Sequence, residues 1–337
     1  MKAISMDSTG GPGVLAIRDI ARPSPGPNEV LVRLRFAALN HLDIWVRIGN
    51  VPAKLPLIPG SEGAGVIEAV GSDVLGFSTD QEVVVTPWIY PGGHTNQPIN
   101  AYTEALGVAR DGCYAQYVTV PAICVTPLPK TLSMEEGAGF TLVGATAYHM
   151  TITRGGLRPG ENVFVMGATG GVGIAAIQIA RASGAIVFAA TRDKEKRKLL
   201  KETGAHEVFD TAGDYPALVR EATGGIGVDL VVETVGKATW DKSLSLLRPG
   251  GRLAFCGSTS GAEYPINLQR IYRNEISLLG CYAATPAEIK FLFGLSEAGL
   301  VRPVIDSIFP LDKAGEAQER MERSRHFGKI LLEMEIS

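Results

Sequence analysis

The sequence predicts an α/β fold, a doubly wound parallel sheet joined to a second, mostly-β domain. Three observations carry that expectation. Residues 163–173 read Val-Phe-Val-Met-Gly-Ala-Thr-Gly-Gly-Val-Gly, an apolar run closing on a glycine-rich turn, and residues 174–183 continue apolar at helical spacing. From Ser133 onward, helical segments alternate with short apolar strands, the order of a parallel sheet covered on both faces. Up to about Pro129 the chain reads instead as strands and turns.

Taken in order, residues 29–36 set Val30, Val32, Leu34 and Phe36 against Leu31, Arg33 and Arg35, the alternation of a strand. Pro23-Ser24-Pro25-Gly26-Pro27 before it is a turn-rich lead-in. Residues 63–70 and 82–86 are further strands. Residues 87–112 form an irregular excursion containing Pro, Gly and Asn, longer than an ordinary connection. After the glycine turn, strands are expected at 186–191, 207–209, 228–233 and 252–255. Helices are expected at 194–202, 215–222 and 239–247. Residues 276–281 read as an apolar strand at the sheet edge, and 328–332 as a last strand. The boundaries that follow place a dinucleotide-binding domain at 130–265, inserted into a discontinuous domain of 1–129 and 266–337.

The order of strand, glycine turn and helix at 163–183 is what a nucleotide pyrophosphate requires. Glycines let the backbone approach the phosphates, and the helix N-terminus offers free N–H groups and partial positive charge. No Gly-Lys-Ser/Thr follows, which disfavours a mononucleotide P-loop. The competing reading is a structural glycine turn in another α/β sheet.

A length of 337 residues suits two domains, and 45% hydrophobic with 20% charged residues suits a chain with a substantial core. A net charge of −3 gives no electrostatic footprint for nucleic acid or an anionic membrane. No apolar run approaches the ~20 residues of a membrane span. The N-terminus lacks a signal-peptide core, so a cytoplasmic protein is expected. Four cysteines, Cys113, Cys124, Cys256 and Cys281, are widely spaced without a Cys-x-x-Cys, which reads as free thiols in a reducing compartment.

Several separate segments together resemble the medium-chain dehydrogenase/reductase family over essentially the whole chain. They are Met1-Lys2-Ala3 with Gly11-Pro12, Ala38-Leu39-Asn40-His41-Leu42-Asp43 with Arg47-Ile48-Gly49, and Pro59-Gly60-Ser61-Glu62-Gly63-Ala64-Gly65 with Val70-Gly71. Gly112-Cys113-Tyr114-Ala115-Gln116-Tyr117, the turn at 167–173, Leu247-Arg248-Pro249-Gly250-Gly251-Arg252 and Gly328-Lys329 complete the set. The resemblance implies a GroES-like, mostly-β catalytic domain, a Rossmann domain, and an active site in the cleft between them. It also implies a homodimer or homotetramer, paired through the apolar edge strand at 276–281, since an open apolar edge is an aggregation hazard.

The resemblance makes metal content the deciding question. Zinc-dependent members carry a cysteine where this chain has Asn40 and a histidine where it has Ser61, while Glu62 is retained. The third ligand is a cysteine or carboxylate, and residues 140–144 offer neither. A catalytic zinc takes three protein ligands that Asn and Ser replace poorly. The excursion has no cysteine, so the family's structural zinc is not expected either. His94 and His149 are lone histidines with surface or packing roles. No metal, and no zinc, is therefore expected. The chain is similar to the zinc-free branch of quinone oxidoreductases and alkenal or enoyl reductases.

Asn40, Asp43 and Ser61 are the expected catalytic residues. Asn40 has two readings, an amide donor to a developing oxyanion and a turn stabiliser. Asp43 likewise reads as a proton relay or a structural orienter. Cofactor contacts are expected from Asn40, Thr146, Ala168, Thr169, Gly170, Gly171, Val172, Thr191, Arg192, Lys196, Val235, Gly257, Ser258 and Lys329. No carboxylate ends the second strand of the dinucleotide domain; Arg192 and Lys196 stand there to meet a 2′-phosphate, with Asp193 beside them as a complication. NADPH is expected over NADH. The expected partner is a small electrophile, a quinone or an enal or enone, and neither nucleic acid nor membrane. Alternatives are an enoyl-thioester reductase, a zinc-free alcohol dehydrogenase-like protein and a catalytically silent NADPH-binding relative.

Overall fold

The computed structural model of the protein describes residues 1–89 and 104–335. The chain divides into two compact units: Met1–Leu142 with Thr285–Ala287 and Pro303–Ser337, and Val143–Ala284 with Glu288–Arg302.

The first unit is built on a seven-stranded sheet. Its central strand, Glu29–Ala38, runs antiparallel to Glu62–Val70, Tyr117–Pro121 and Lys329–Glu333. The alternation seen in the sequence is what packs it. Val30, Val32 and Leu34 enter a core with Ile4, Ile67, Val83 and Ile330. Leu31 is buried as well, because the strand has partners on both faces at that point. Register then fixes the chemistry. Ala38 lies opposite both Glu62 and Leu331, so the residues just beyond Ala38 meet the start of two neighbouring strands. A short helix, His41–Arg47, follows at once. Asn40, Glu62 and Lys329 are thus gathered by three adjacent strand ends.

The second unit carries a six-stranded, all-parallel sheet in the order Glu207–Phe209, Ile186–Ala190, Asn162–Val165, Val228–Glu233, Leu247–Phe255, Ser277–Gly280. The chain leaves Asn162–Val165 in one direction for two strands, then returns to its other side. That reversal creates a switch point between Asn162–Val165 and Val228–Glu233, where ligands of such sheets bind. Thr234 Oγ1 donates to the Met166 carbonyl at 3.2 Å and ties the two strand ends together.

The units divide the chain elsewhere than the sequence suggests. Residues 130–142 belong to the first unit, where helix Met134–Ala138 lies against strands Glu29–Ala38 and Glu62–Val70. Residues 266–284 and 288–302 belong to the second. Ser277–Gly280 joins the parallel sheet beside Leu247–Phe255. Helix Pro286–Glu297 is held by Glu288 on His149 and by Phe291 stacked on Tyr148. Of the excursion, Trp88–Ile89 pairs with Glu104–Ala105. Residues 90–103, with His94, lie outside the described residues. No helix among the described residues is long and apolar enough to cross a membrane.

Candidate active site and cofactor turn

Asn40 is the first residue past strand Glu29–Ala38 and its Leu39, and it opens helix His41–Arg47. Its backbone N–H donates to Asp43 Oδ2 at 2.8 Å, which closes the first helical turn. Its side chain turns the other way. Asn40 Nδ2 donates to Glu62 Oε1 at 3.0 Å and to Ser61 Oγ at 3.3 Å, while Oδ1 accepts from Lys329 Nζ at 2.8 Å. Lys329 also donates to the Leu39 carbonyl at 2.6 Å and to Glu62 Oε1 at 3.0 Å. The other oxygen of Glu62 accepts from the Leu142 amide at 2.6 Å. Glu62 and Lys329 are buried, at 0% and 2% exposure, so this is an ion pair removed from water.

Asp43 adjoins the pair. Ser61 Oγ donates to its Oδ1 at 3.1 Å, and the Tyr114 hydroxyl donates to its Oδ2 at 2.9 Å. Gln318, fully buried, abuts that hydroxyl. Burial pushes the Asp43 carboxyl up to about 6, against the opposing pull of the Asn40 amide, Tyr114, Lys329 and Ser61. His41 is pushed down to about 4 by burial and by the Lys329 charge, so it is neutral at pH 7. Burial raises Tyr114 well above its ordinary range, with the Asp43 charge adding to it.

These shifts give a pH signature. A folded-state value above the ordinary 3.8 means that the folded chain holds the Asp43 proton more tightly. That stabilisation is complete below about pH 4 and is lost as pH rises through about 6. Asp43→Asn is therefore expected to flatten the stability profile across that window, by roughly 2–3 kcal/mol. Urea midpoints measured from pH 4 to pH 7 check this. A variant whose profile parallels the native one would show that Asp43 does not hold the proton.

In the second unit, Asn162–Val165 delivers the turn to helix Gly171–Ala182. Gly167 has φ +71°, and a Cβ there would lie 2.3 Å from Thr234 Oγ1. A Cβ on Gly173 would lie 2.5 Å from the Gly167 carbonyl oxygen, so both glycines are needed for the turn to close. Gly170 differs, since a Cβ there would meet only the Gly167 oxygen, at 3.7 Å. Helices Lys194–Thr203, Tyr215–Ala222 and Leu268–Arg273 have first turns capped by the side chains of Asp193, Asp214 and Asn267. Helix Gly171–Ala182 starts at Gly170, without a side-chain cap. Its first amides suit a pyrophosphate.

The other expected cofactor residues gather at the same sheet end. Ala168, Thr169 and Val172 belong to the turn and first helical turn; Thr191, Val235, Gly257 and Ser258 follow the carboxyl ends of neighbouring strands. Thr146 is buried in helix Thr141–Tyr148. Asp193 is resolved as a helix cap, accepting from Glu195 and Lys196 amides at 2.9 and 3.1 Å. Arg192 is exposed and makes no hydrogen bond or ion pair among the described residues. Glu233, which sequence reasoning missed, is buried and accepts from the Val235 and Gly236 amides at 2.6 and 3.0 Å. It shapes the loop that carries Val235. His149 has the packing role expected of it, with Nδ1 2.8 Å from Glu288.

Comparison with known proteins now decides the family. Sequence models match as the alcohol dehydrogenase GroES-like domain at residues 26–130 and as zinc-binding dehydrogenase at 171–297. Human quinone oxidoreductase is 33% identical, over 98% of this chain and 97% of the relative. The chain belongs to the medium-chain dehydrogenase/reductase family. Within it the chain is quinone oxidoreductase-like, and it is an NAD(P)H-dependent oxidoreductase. A solved NAD-dependent alcohol dehydrogenase is 38% identical with a TM-score of 0.95, covering 99% of both chains. Quinone oxidoreductase of Escherichia coli, solved with NADPH, is 26% identical with a TM-score of 0.86, covering 99% of this chain and all of the other.

Because one matching family is described as zinc-binding, the donor set must be judged against zinc. The amide of Asn40 turns its protons to Ser61 and Glu62, and its oxygen faces an ammonium ion. Ser61 gives its proton to Asp43. The one soft donor close to these acids is Cys113, and burial with the Asp43 and Glu62 charges pushes its thiol well up. No set of three His, Cys, Asp or Glu arranged for a metal is present among the described residues. The residues of the medium-chain dehydrogenase/reductase zinc position in this chain do not fit a catalytic zinc. Lys329, expected at the cofactor, has all three protons engaged within the first unit.

Proposed function

We propose that this chain is a zinc-independent reductase that transfers hydride from NADPH to a quinone or an α,β-unsaturated carbonyl. The observation that carries the reading is the Lys329 ammonium ion held on Asn40 and Glu62, where zinc-dependent relatives place a metal ligand. A donor set unsuited to zinc supplies no Lewis acid to lower an alkoxide pKa, so the acceptor must be electrophilic in itself. Bound NADPH supplies the hydride. The chain's part is to hold the pyrophosphate on the bare first turn after Gly170, and to fix the Val235 loop through Glu233. Both amide protons of Asn40 are engaged, which favours its reading as the residue that holds the site together. The product proton then comes from solvent. NADPH oxidation assayed with a quinone and an enal, before and after chelation, tests the reading. Stoichiometric zinc that leaves together with activity would sink it.

Arg192 supports NADPH, since its guanidinium is exposed while Asp193 is committed to the helix cap. Arg192→Ala is expected to weaken NADPH by about 1.5–3 kcal/mol and leave NADH unchanged. Equal affinities for the two cofactors in the native protein would refute this. A second reading is favoured by the 38% identity to a solved NAD-dependent alcohol dehydrogenase. It requires brisk NAD-dependent oxidation of simple alcohols and indifference to quinones and enals.

The protein is further proposed to be a cytoplasmic homodimer or a tetramer of such dimers. Strand Ser277–Gly280 ends the parallel sheet, paired on one side only among the described residues, and Tyr272 and Tyr282 near it are exposed at 62% and 55%. Light scattering at micromolar concentration is expected to give at least a dimer. A monomer there would count against pairing through this edge.

A further inference from the structure

We propose that the Lys329 ammonium ion is the resident cation of this site, filling the place where a divalent metal would otherwise sit. The inference deepens the zinc-independent reading and rests on it for its functional weight. Its physical content comes from the donor set. Nζ has three protons and meets three oxygens: Leu39 O at 2.6 Å, Asn40 Oδ1 at 2.8 Å and Glu62 Oε1 at 3.0 Å. Such oxygens, with a carboxylate among them, are hard donors of the kind that hold divalent cations. A buried carboxylate needs a countercharge, and Glu62 is fully buried. No second cation competes for the role, because His41 is pushed down to about 4. The Cys113 thiol, raised by burial and by Asp43 and Glu62, stays protonated and offers no thiolate.

The tether explains why the cation is permanent. Lys329 begins a strand whose Leu331 pairs with Ala38, and the Leu39 amide donates to the Ile330 carbonyl at 2.9 Å. The backbone that brings Nζ to Asn40 is the same ladder that builds the sheet. The cation therefore arrives with folding and does not exchange with solvent metal.

Thermal unfolding of the native protein, Lys329→Ala, and the double variant Lys329→Met with Glu62→Gln tests the proposal, each titrated with ethylammonium, Mn²⁺ and Zn²⁺. Lys329→Ala is expected to lose roughly 10 °C in Tm and to regain at least half of it in ethylammonium or Mn²⁺. The native protein should gain nothing from either. The double variant, with no buried charge, should recover most of the native Tm. A double variant as unstable as Lys329→Ala would overturn the proposal, as would a Lys329→Ala protein that responds to no cation. So would a native protein that binds one equivalent of zinc in a manner abolished by Glu62→Gln. If Lys329→Ala does not fold alone, refolding with ethylammonium is the readout: recovery supports the proposal and its absence overturns it. Activity lost on chelation, with these thermal results intact, would instead count against the zinc-independent reaction alone.

Discussion

Gly170→Val is expected to abolish binding of NADPH and NADH together while leaving the parallel-sheet unit folded. The argument rests on which glycines the protein needs for itself. A Cβ on Gly173 would lie 2.5 Å from the Gly167 oxygen and 2.6 Å from the Ala168 Cα, both backbone atoms that cannot move aside. Gly173 is therefore required for the turn to form. Gly170 has φ −86° and ψ 169°, an extended conformation open to any residue, and its nearest neighbour would be in ordinary contact. Valine there costs about 1 kcal/mol as a poorer helix start. Glycine is thus not demanded at 170 by the folded protein, and the space it leaves lies over the uncapped first turn. A pyrophosphate approaching those amides would meet the valine methyls. Titration of both dinucleotides by calorimetry should show affinity down by at least about two orders of magnitude for each, equivalent to some 2.7 kcal/mol. Circular dichroism should be unchanged. Retained binding of either cofactor would show that the pyrophosphate does not lie on this turn.

That contrast between glycines was not legible in the sequence, where all of them read as one motif. Much else was. The strands expected at 207–209 and 228–233 and the helix at 215–222 have those bounds in the structure, and the helix at 194–202 gains one residue. Their apolar periodicity comes from packing on both sides of one sheet, a local signal that survives in the sequence. Helix His41–Arg47 was not foreseen. Its stability comes from the Asp43 carboxylate returning to the Asn40 amide and from the buried Arg47, which reaches Glu322 at 2.6 Å. Such long-range partners leave no periodicity. The domain boundary at 130–265 failed for a similar reason: Ser277–Gly280 reads as an edge strand, but only its pairing with Leu247–Phe255 assigns it and the following helix to the parallel-sheet unit.

The site shows the same division. Asn40, Asp43 and Ser61 were found through motif positions, and the structure joins them by hydrogen bonds. Tyr114 and Gln318 were missed as members because they come from a separate loop and a late helix. Lys329 was found but given to the cofactor. Its tie to Glu62 spans 267 residues, and only strand register brings the two together.

Glu62→Ala is expected to be the most damaging single substitution in the first unit. Glu62 accepts from Asn40, Lys329 and Leu142, so truncation strands three donors, one of them a buried ammonium ion. Breaking a buried pair by removing one partner costs about 3–5 kcal/mol, a large fraction of the stability of an ordinary domain. Glu62→Gln should do less harm, since its amide oxygen still accepts while the charge is lost. The two units have separate cores, so a single unfolding free energy is not assured. Hydrogen exchange resolves them. Strands Glu29–Ala38 and Lys329–Glu333 should lose protection in Glu62→Ala, while Asn162–Val165 and Val228–Glu233 keep theirs. Protection unchanged in the first pair would mean that the lysine finds another partner or loses its proton. The site would then be held by packing alone, and the ion pair would not be what orders it.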